Sequence, residues 1–362
     1  MKRRRAVLAW VVAVSSALPA GCNGLAGIDE PIEPLDAGTI VVGPDAGDDA
    51  EPVDDAAPAD TAIGTVPLPA PCVTGCTPAR ASDVTGAYRV ALDPSGANAY
   101  FTVQGAASAV YRIATDAADA GAATKVSDVA GTPYGIAVTS ARVYWVVKNG
   151  ATAAIDTRAI AADAATPLLE LDPILSGGGG GIAAKDEIVY VDDEGAPSGS
   201  VWRIDGVTST VYGPCSRAGA IAADHGAAFI LDNGGTDVVW FAGAKENKSP
   251  AVLATVAGGV GVAVNDTTIF WTAGGPNGAV WALPKIGAPS PRLVAPSQSD
   301  ASAIATDADG NVYFGAAGSL VTNAGGTTRS IASPAATPTS IAVSARWVFF
   351  VAGGTLWKIQ KP

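Results

Sequence analysis

The chain has 362 residues and a formal net charge of −12. That length holds one large domain or two ordinary ones, and the acidic balance excludes nucleic acid as a partner, because binding phosphates needs a basic face. With 43 Gly and 25 Pro between short β-rich runs, the composition speaks for many turns and against long helices. The charge is uneven: Lys2–Arg5 are all basic, whereas residues 23–78 hold eleven carboxylates and no Lys or Arg.

Residues 1–22 read as an export signal. A basic segment, Lys2–Arg5, is followed by an apolar stretch, Ala6–Leu18, and then by Ala20-Gly21-Cys22. The stretch is shorter than the roughly 20 residues a bilayer-spanning helix needs. The end of the segment resembles the lipobox of bacterial lipoproteins, in which the cysteine is lipidated and becomes the mature N-terminus. It departs from that motif at Pro19, where Leu is usual, with Leu18 one place too early. The resemblance implies a lipid on Cys22 and a place in the cell envelope. Asn23, rather than Asp, after the cysteine points by the same resemblance to the outer membrane. The alternative is an ordinary signal peptide cut after Ala20.

Residues 23–78 are rich in Asp, Glu, Pro, Ala and Gly and contain no aromatic residue. Such a segment buries too little apolar surface to offset its chain entropy, so it is expected to be a disordered, extended tether.

Residues 79–362 repeat. An Ile/Val-Ala pair recurs as Val90-Ala91, Ile136-Ala137, Ile182-Ala183, Ile221-Ala222, Val262-Ala263, Ile304-Ala305 and Ile341-Ala342, at spacings of 37 to 46 residues. About eight residues after each comes an aromatic or β-branched pair, from Tyr100-Phe101 to Phe349-Phe350. A third run and a weaker fourth run follow, as in VWRI (201–204) and STVYG (209–213). Four short strands per unit of about 40 residues predict an all-β, seven-bladed β-propeller of four-stranded blades. The chain at this point resembles the propellers of the NHL and streptogramin-lyase type, a structural likeness shared by many functions. The last unit lacks a fourth strand, and ARASDVTGAYRVA (79–91) lines up with TKVSDVAGTPYGIA (124–137). Residues 79–84 are therefore expected to pair with the strand around 355–360 and close the ring. The aromatic pairs read as packing between blades.

Three cysteines remain besides Cys22. In an oxidising compartment, Cys72 and Cys76 (CVTGC) are expected to pair with each other, since strand direction puts Cys215 near the other face and leaves it free. His225, the one histidine, falls in the turn between the first two strands of the fourth blade. With no partner nearby in sequence it does not suggest zinc. The lyases that this fold resembles use histidines around the central channel, and His225 lies on the opposite face. DADGN (307–311) resembles part of a calcium loop but lacks the later Glu, and reads as a turn.

The remaining candidates lie where loops meet the channel mouth. Tyr88 and Tyr134 hold equivalent positions in adjacent blades, and Arg217 and Asn233 lie in neighbouring loops. Asp192, Asp193 and Glu194 face Asp232 and Asp237 of the next blade. So many carboxylates repel one another unless solvent, a cation or a basic partner offsets them. They read either as solvated turn residues or as an acidic rim that takes a divalent cation such as calcium, the one cofactor considered. The chain as a whole is expected to be a monomeric, non-catalytic binding or scaffolding module for a protein or glycan. A lyase or hydrolase with carboxylates at the channel mouth is the alternative.

Overall fold

The computed structural model describes residues 77–362, except 118–122, 162–168, 176–179, 194–198, 216–217, 233–237, 243–250, 287–289 and 335. The lipid site Cys22, the Cys72–Cys76 pair, Glu194, Arg217, Asn233 and Asp237 all lie outside the described residues.

The described strands form seven four-stranded antiparallel sheets. The first contains Ala87–Leu92, Asn98–Val103, Ala109–Ala114 and Thr124–Asp128, and five further sheets repeat that meander in chain order. The seventh contains Ser340–Val343, Trp347–Ala352 and Thr355–Gln360, with Ala79–Thr85 as its outermost strand. The first strand of each sheet touches the first strand of the next, and that of the seventh touches Ala87–Leu92, so the sheets form a closed ring around a central channel. The fold is an all-β propeller.

Closure rests on Ala79–Thr85, which pairs with Thr355–Gln360 in the register Ala79↔Lys358 and Arg80↔Trp357. Two backbone bonds to the Gly354 carbonyl, from Gly86 N at 2.9 Å and Ala87 N at 3.0 Å, continue it. Ala81 and Ser82 are buried in this seam.

Each blade interface has its own apolar cluster. The second strand of a blade is covered on both faces, so it reads as a continuous apolar run instead of alternating. Its paired residues divide between the two neighbours. Phe101 packs with Phe349 and Val351 of the seventh blade, whereas Tyr100 packs with Ile136 and Trp145 of the second. The same split recurs with Tyr144 and Trp145, and with Phe270 and Trp271. The third-strand tryptophans Trp202, Trp281 and Trp357 are only half-buried, because they sit toward the outside of the ring.

The turns between first and second strands are held by side chains. Asp93 accepts from Ser95 Oγ at 2.8 Å, Ala97 N at 3.0 Å and Asn98 Nδ2 at 2.8 Å. In the calcium-like DADGN segment Asp307 does the same with Asn311 N at 2.9 Å and Asn311 Nδ2 at 3.0 Å, and Lys361 Nζ lies 2.7 Å from Asp307. The Asp307 carboxylate is thus occupied as a turn brace that ties the C-terminus to the sixth blade. Burial alone would raise its carboxyl, but the hydrogen bonds from Lys361 and Asn311 and the Lys361 charge outweigh that and hold it below the ordinary 3.8. A carboxyl depressed on folding stabilises fully above its unfolded value and loses that contribution as pH falls through the folded value. The melting temperature is therefore expected to fall as pH drops below about 4, and Lys361→Met should lose less over the same interval. Parallel acid titrations of both proteins by circular dichroism check this; equal slopes would refute it.

Candidate functional site

The channel mouth is built by a repeated local device. Where the first strand of a blade begins, one extra residue interrupts its pairing with the second strand. Ala87 pairs Val103 and Arg89 pairs Thr102, so Tyr88 is skipped. Gly219 and Val260 are skipped in the same way, and the residue pair Tyr134-Gly135 spans the corresponding irregularity. A β-bulge frees a side chain from the pleat and re-aims it. Here Tyr88, Tyr134, Gly219 and Val260 all line one cavity of about 330 Å³, together with Gly180. These residues lie two positions before the Ile/Val of each repeat pair, a column visible in the sequence once the repeats are aligned.

The cavity is asymmetric. On the first and second blades the Tyr88 and Tyr134 rings meet edge-on, with centroids 5.3 Å apart and planes at 74°. Arg89 Cζ lies 4.3 Å from the Tyr88 centroid and Lys148 Nζ 4.0 Å from that of Tyr134. Arg89 Nη1 also donates to the Thr339 carbonyl of the seventh blade at 3.1 Å, which fixes the guanidinium. On the third and fourth blades the lining is Gly180, Gly181, Ile182, Gly219, Ala220 and Ile221, so glycine backbone is presented beside aliphatic side chains. Gly135 must be glycine, since a Cβ there would lie 2.4 Å from the Gly180 carbonyl. Among the described residues, the charged ones that line it are Arg89 and Lys148, both cationic.

Of the acidic rim expected from the sequence, the described members Asp192, Asp193 and Asp232 do not line this cavity. Asp192, Asp193 and Asp232 are 0%, 8% and 3% exposed. The strands Ile188–Asp193 and Ala227–Asp232 run on through these residues, pairing Asp192 with Val201 and Asp193 with Ser200, so they belong to the sheets and not to solvated turns. Asp192 stands directly behind Gly181, where a Cβ would come within 3.0 Å of its carboxylate. Its position in the blade corresponds to that of Thr102 and Thr272. Thr102 accepts from Arg89 N at 3.1 Å and donates to the Tyr134 carbonyl of the next blade at 3.2 Å; Thr272 does the same between Gly261 N and the Ser302 carbonyl. Among the described residues, Tyr88 and Tyr134 are thus the two named candidates that the structure brings together at the mouth.

The opposite face carries a group that proximity in sequence concealed. The first strand of the fourth blade, Ala218–Asp224, has Gly219 at the mouth end and Asp224 at the other. There Asp224, His225 and Asp266 of the fifth blade place one donor atom each within 4.8 Å of the others. His225 Nδ1 lies 2.9 Å from Asp186 Oδ2 of the third blade, and Lys285 Nζ pairs with Asp224 Oδ2.

No family model matches the chain, and no curated protein matches it in sequence. Solved structures match its fold. Virginiamycin B lyase from Staphylococcus aureus is 15% identical, with a TM-score of 0.60 over 79% of this chain and 98% of that one. The RRP9 WD40 repeats are 10% identical, with a TM-score of 0.57 over 80% and 98%. A gluconolactonase from Xanthomonas campestris is 11% identical, with a TM-score of 0.50 over 80% and 99%. At these identities the likeness is one of fold alone, and it spans enzymes and WD40 repeats alike.

Proposed function

We propose that this chain is a cell-envelope lipoprotein, anchored through Cys22, whose seven-bladed propeller is a non-catalytic binding module with its ligand site at the channel mouth. The observation that carries the reading is the lining of the mouth: two tyrosines with a cation stacked on each, facing a sector rich in glycine and aliphatic residues. Aromatic rings, fixed cations and exposed peptide groups serve recognition, orienting a ligand by stacking and hydrogen bonds. The polarity favours an anionic group on the ligand, a carboxylate of a protein partner or a charged glycan, in place of the cation suggested by the acidic residues. Among the carboxylates of the alternative, a lyase or hydrolase at the mouth, Asp192, Asp193 and Asp232 are buried in the sheets and do not line the cavity, which favours the binding reading.

Capture of partners from envelope extracts by the full chain tests the reading. Lys148→Glu reverses one lining charge, and Tyr134→Ala removes one ring. Each is expected to weaken capture at least about tenfold, about 1.4 kcal/mol. The same charge reversal at Lys125, an exposed outer-strand residue paired with Asp128, should leave capture unchanged. Identical partners recovered at identical yield from all four proteins would move the site away from the mouth.

A further inference from the structure

We propose that Asp224, His225 and Asp266 form a binding site for a divalent transition metal, with zinc the best match, on the face of the propeller opposite the channel mouth. Three adjacent blades build it. The turn after Ala218–Asp224 supplies Asp224 and His225, the turn 265–267 of the fifth blade supplies Asp266, and the turn after Ile182–Lys185 of the third blade supplies Asp186.

The imidazole decides the class of ion. Calcium and magnesium take oxygen ligands, whereas a nitrogen with two carboxylates suits zinc, cobalt or nickel. The orientation of His225 adds an observation outside the three ligands. Its Nδ1 lies 2.9 Å from Asp186 Oδ2, so with the proton on Nδ1 the bond is donated to Asp186 and the lone pair is left on Nε2. That nitrogen faces Asp224, at 3.9 Å from Oδ1. A carboxylate behind the far nitrogen of a metal-binding histidine is the usual supporting arrangement, fixing tautomer and ring plane together. Asp224 is prepared in a similar way. Lys285 takes its Oδ2 and leaves Oδ1 toward the imidazole.

The three donor atoms, all within 4.8 Å of one another, can close on an ion at about 2.0–2.2 Å with small side-chain rotations. The set leaves a fourth position open to solvent, since His225 is 62% exposed. Three carboxylates, Asp224, Asp266 and Asp186, and one lysine, Lys285, carry a net −2, which a bound zinc ion balances. The calcium-like segment around Asp307 offers no comparable set, because its carboxylate is already engaged by Asn311 and Lys361.

The test uses zinc chloride and the full chain, followed by calorimetry and by nitrogen-15 NMR of the imidazole. Because His225 is the one histidine in the sequence, its ring signals need no assignment. The expected result is saturable 1:1 binding in which Nε2 shifts while Nδ1 keeps its proton. His225→Gln and Asp266→Asn should each weaken binding at least tenfold, and Asp309→Asn, in an exposed turn of the sixth blade, should not. Asp186→Asn should weaken binding less, while letting the proton distribute over both ring nitrogens. Zinc uptake unchanged by His225→Gln would assign the metal to the cysteines and overturn the proposal. So would the absence of saturable binding, or a shift at Nδ1 instead of Nε2.

Discussion

Deleting residues 1–86 is expected to destabilise the propeller by at least about 4 kcal/mol relative to deleting residues 1–77, a loss of the size reserved for breaking a buried network. The shorter deletion keeps Ala79–Thr85. The longer one strips the outermost strand from the seventh sheet and leaves Thr355–Gln360 as an open edge. It also uncovers apolar groups now enclosed by that seam, among them Leu356, which is fully buried with Ala81 and Phe101. An exposed, hydrophobic sheet edge pairs with other chains, so the longer deletion should also aggregate. Denaturant unfolding and light scattering of both chains measure the two effects. Coincident unfolding curves would mean that the ring does not depend on this strand.

The second large effect is expected at Trp145. Its side chain is fully buried between the first and second blades, among Tyr100, Val110, Ile136 and Val143. Truncation to alanine leaves a large void in an interface that cannot collapse without moving two sheets, and should cost about 3–5 kcal/mol. Trp281, half-buried on the outside of its blade, should cost clearly less on the same change. Trp145→Phe separates volume from polarity. The indole Nε1 is buried without a hydrogen-bond partner among the described residues, so phenylalanine removes an unsatisfied donor along with some volume. Its cost should stay below about 2 kcal/mol, measured by the same unfolding curves. Equal losses for Trp145→Ala and Trp281→Ala would contradict the assignment of the aromatic pairs to blade interfaces.

The sequence was most legible where one residue type recurs at one place in every unit. The Tyr100-Phe101 and Tyr144-Trp145 pairs divide between neighbouring blades because successive side chains on a strand point to opposite faces. The matching SDV segments at residues 82–84 and 127–129 made the closing strand readable for the same reason. Legibility failed at strand ends. Asp192, Asp193 and Asp232 look like turn residues by type, but sheet pairing sets where a strand stops, and it carries these acids into the interior. Asp224, His225 and Asp266 failed differently. They lie up to 42 positions apart, and what joins them is the packing of neighbouring turns, which no local pattern encodes.

The skipped residues at the start of the inner strands separate two demands that most positions must satisfy together. A residue outside the ladder makes no cross-strand pair, so its identity is nearly neutral for the stability of its blade. The positions Tyr88, Tyr134, Gly219 and Val260 already span aromatic, absent and branched side chains on one repeated framework. Such a column works as a set of interchangeable inserts. Related chains can diverge there and acquire new specificities one blade at a time, without a compensating change in the ring that carries them.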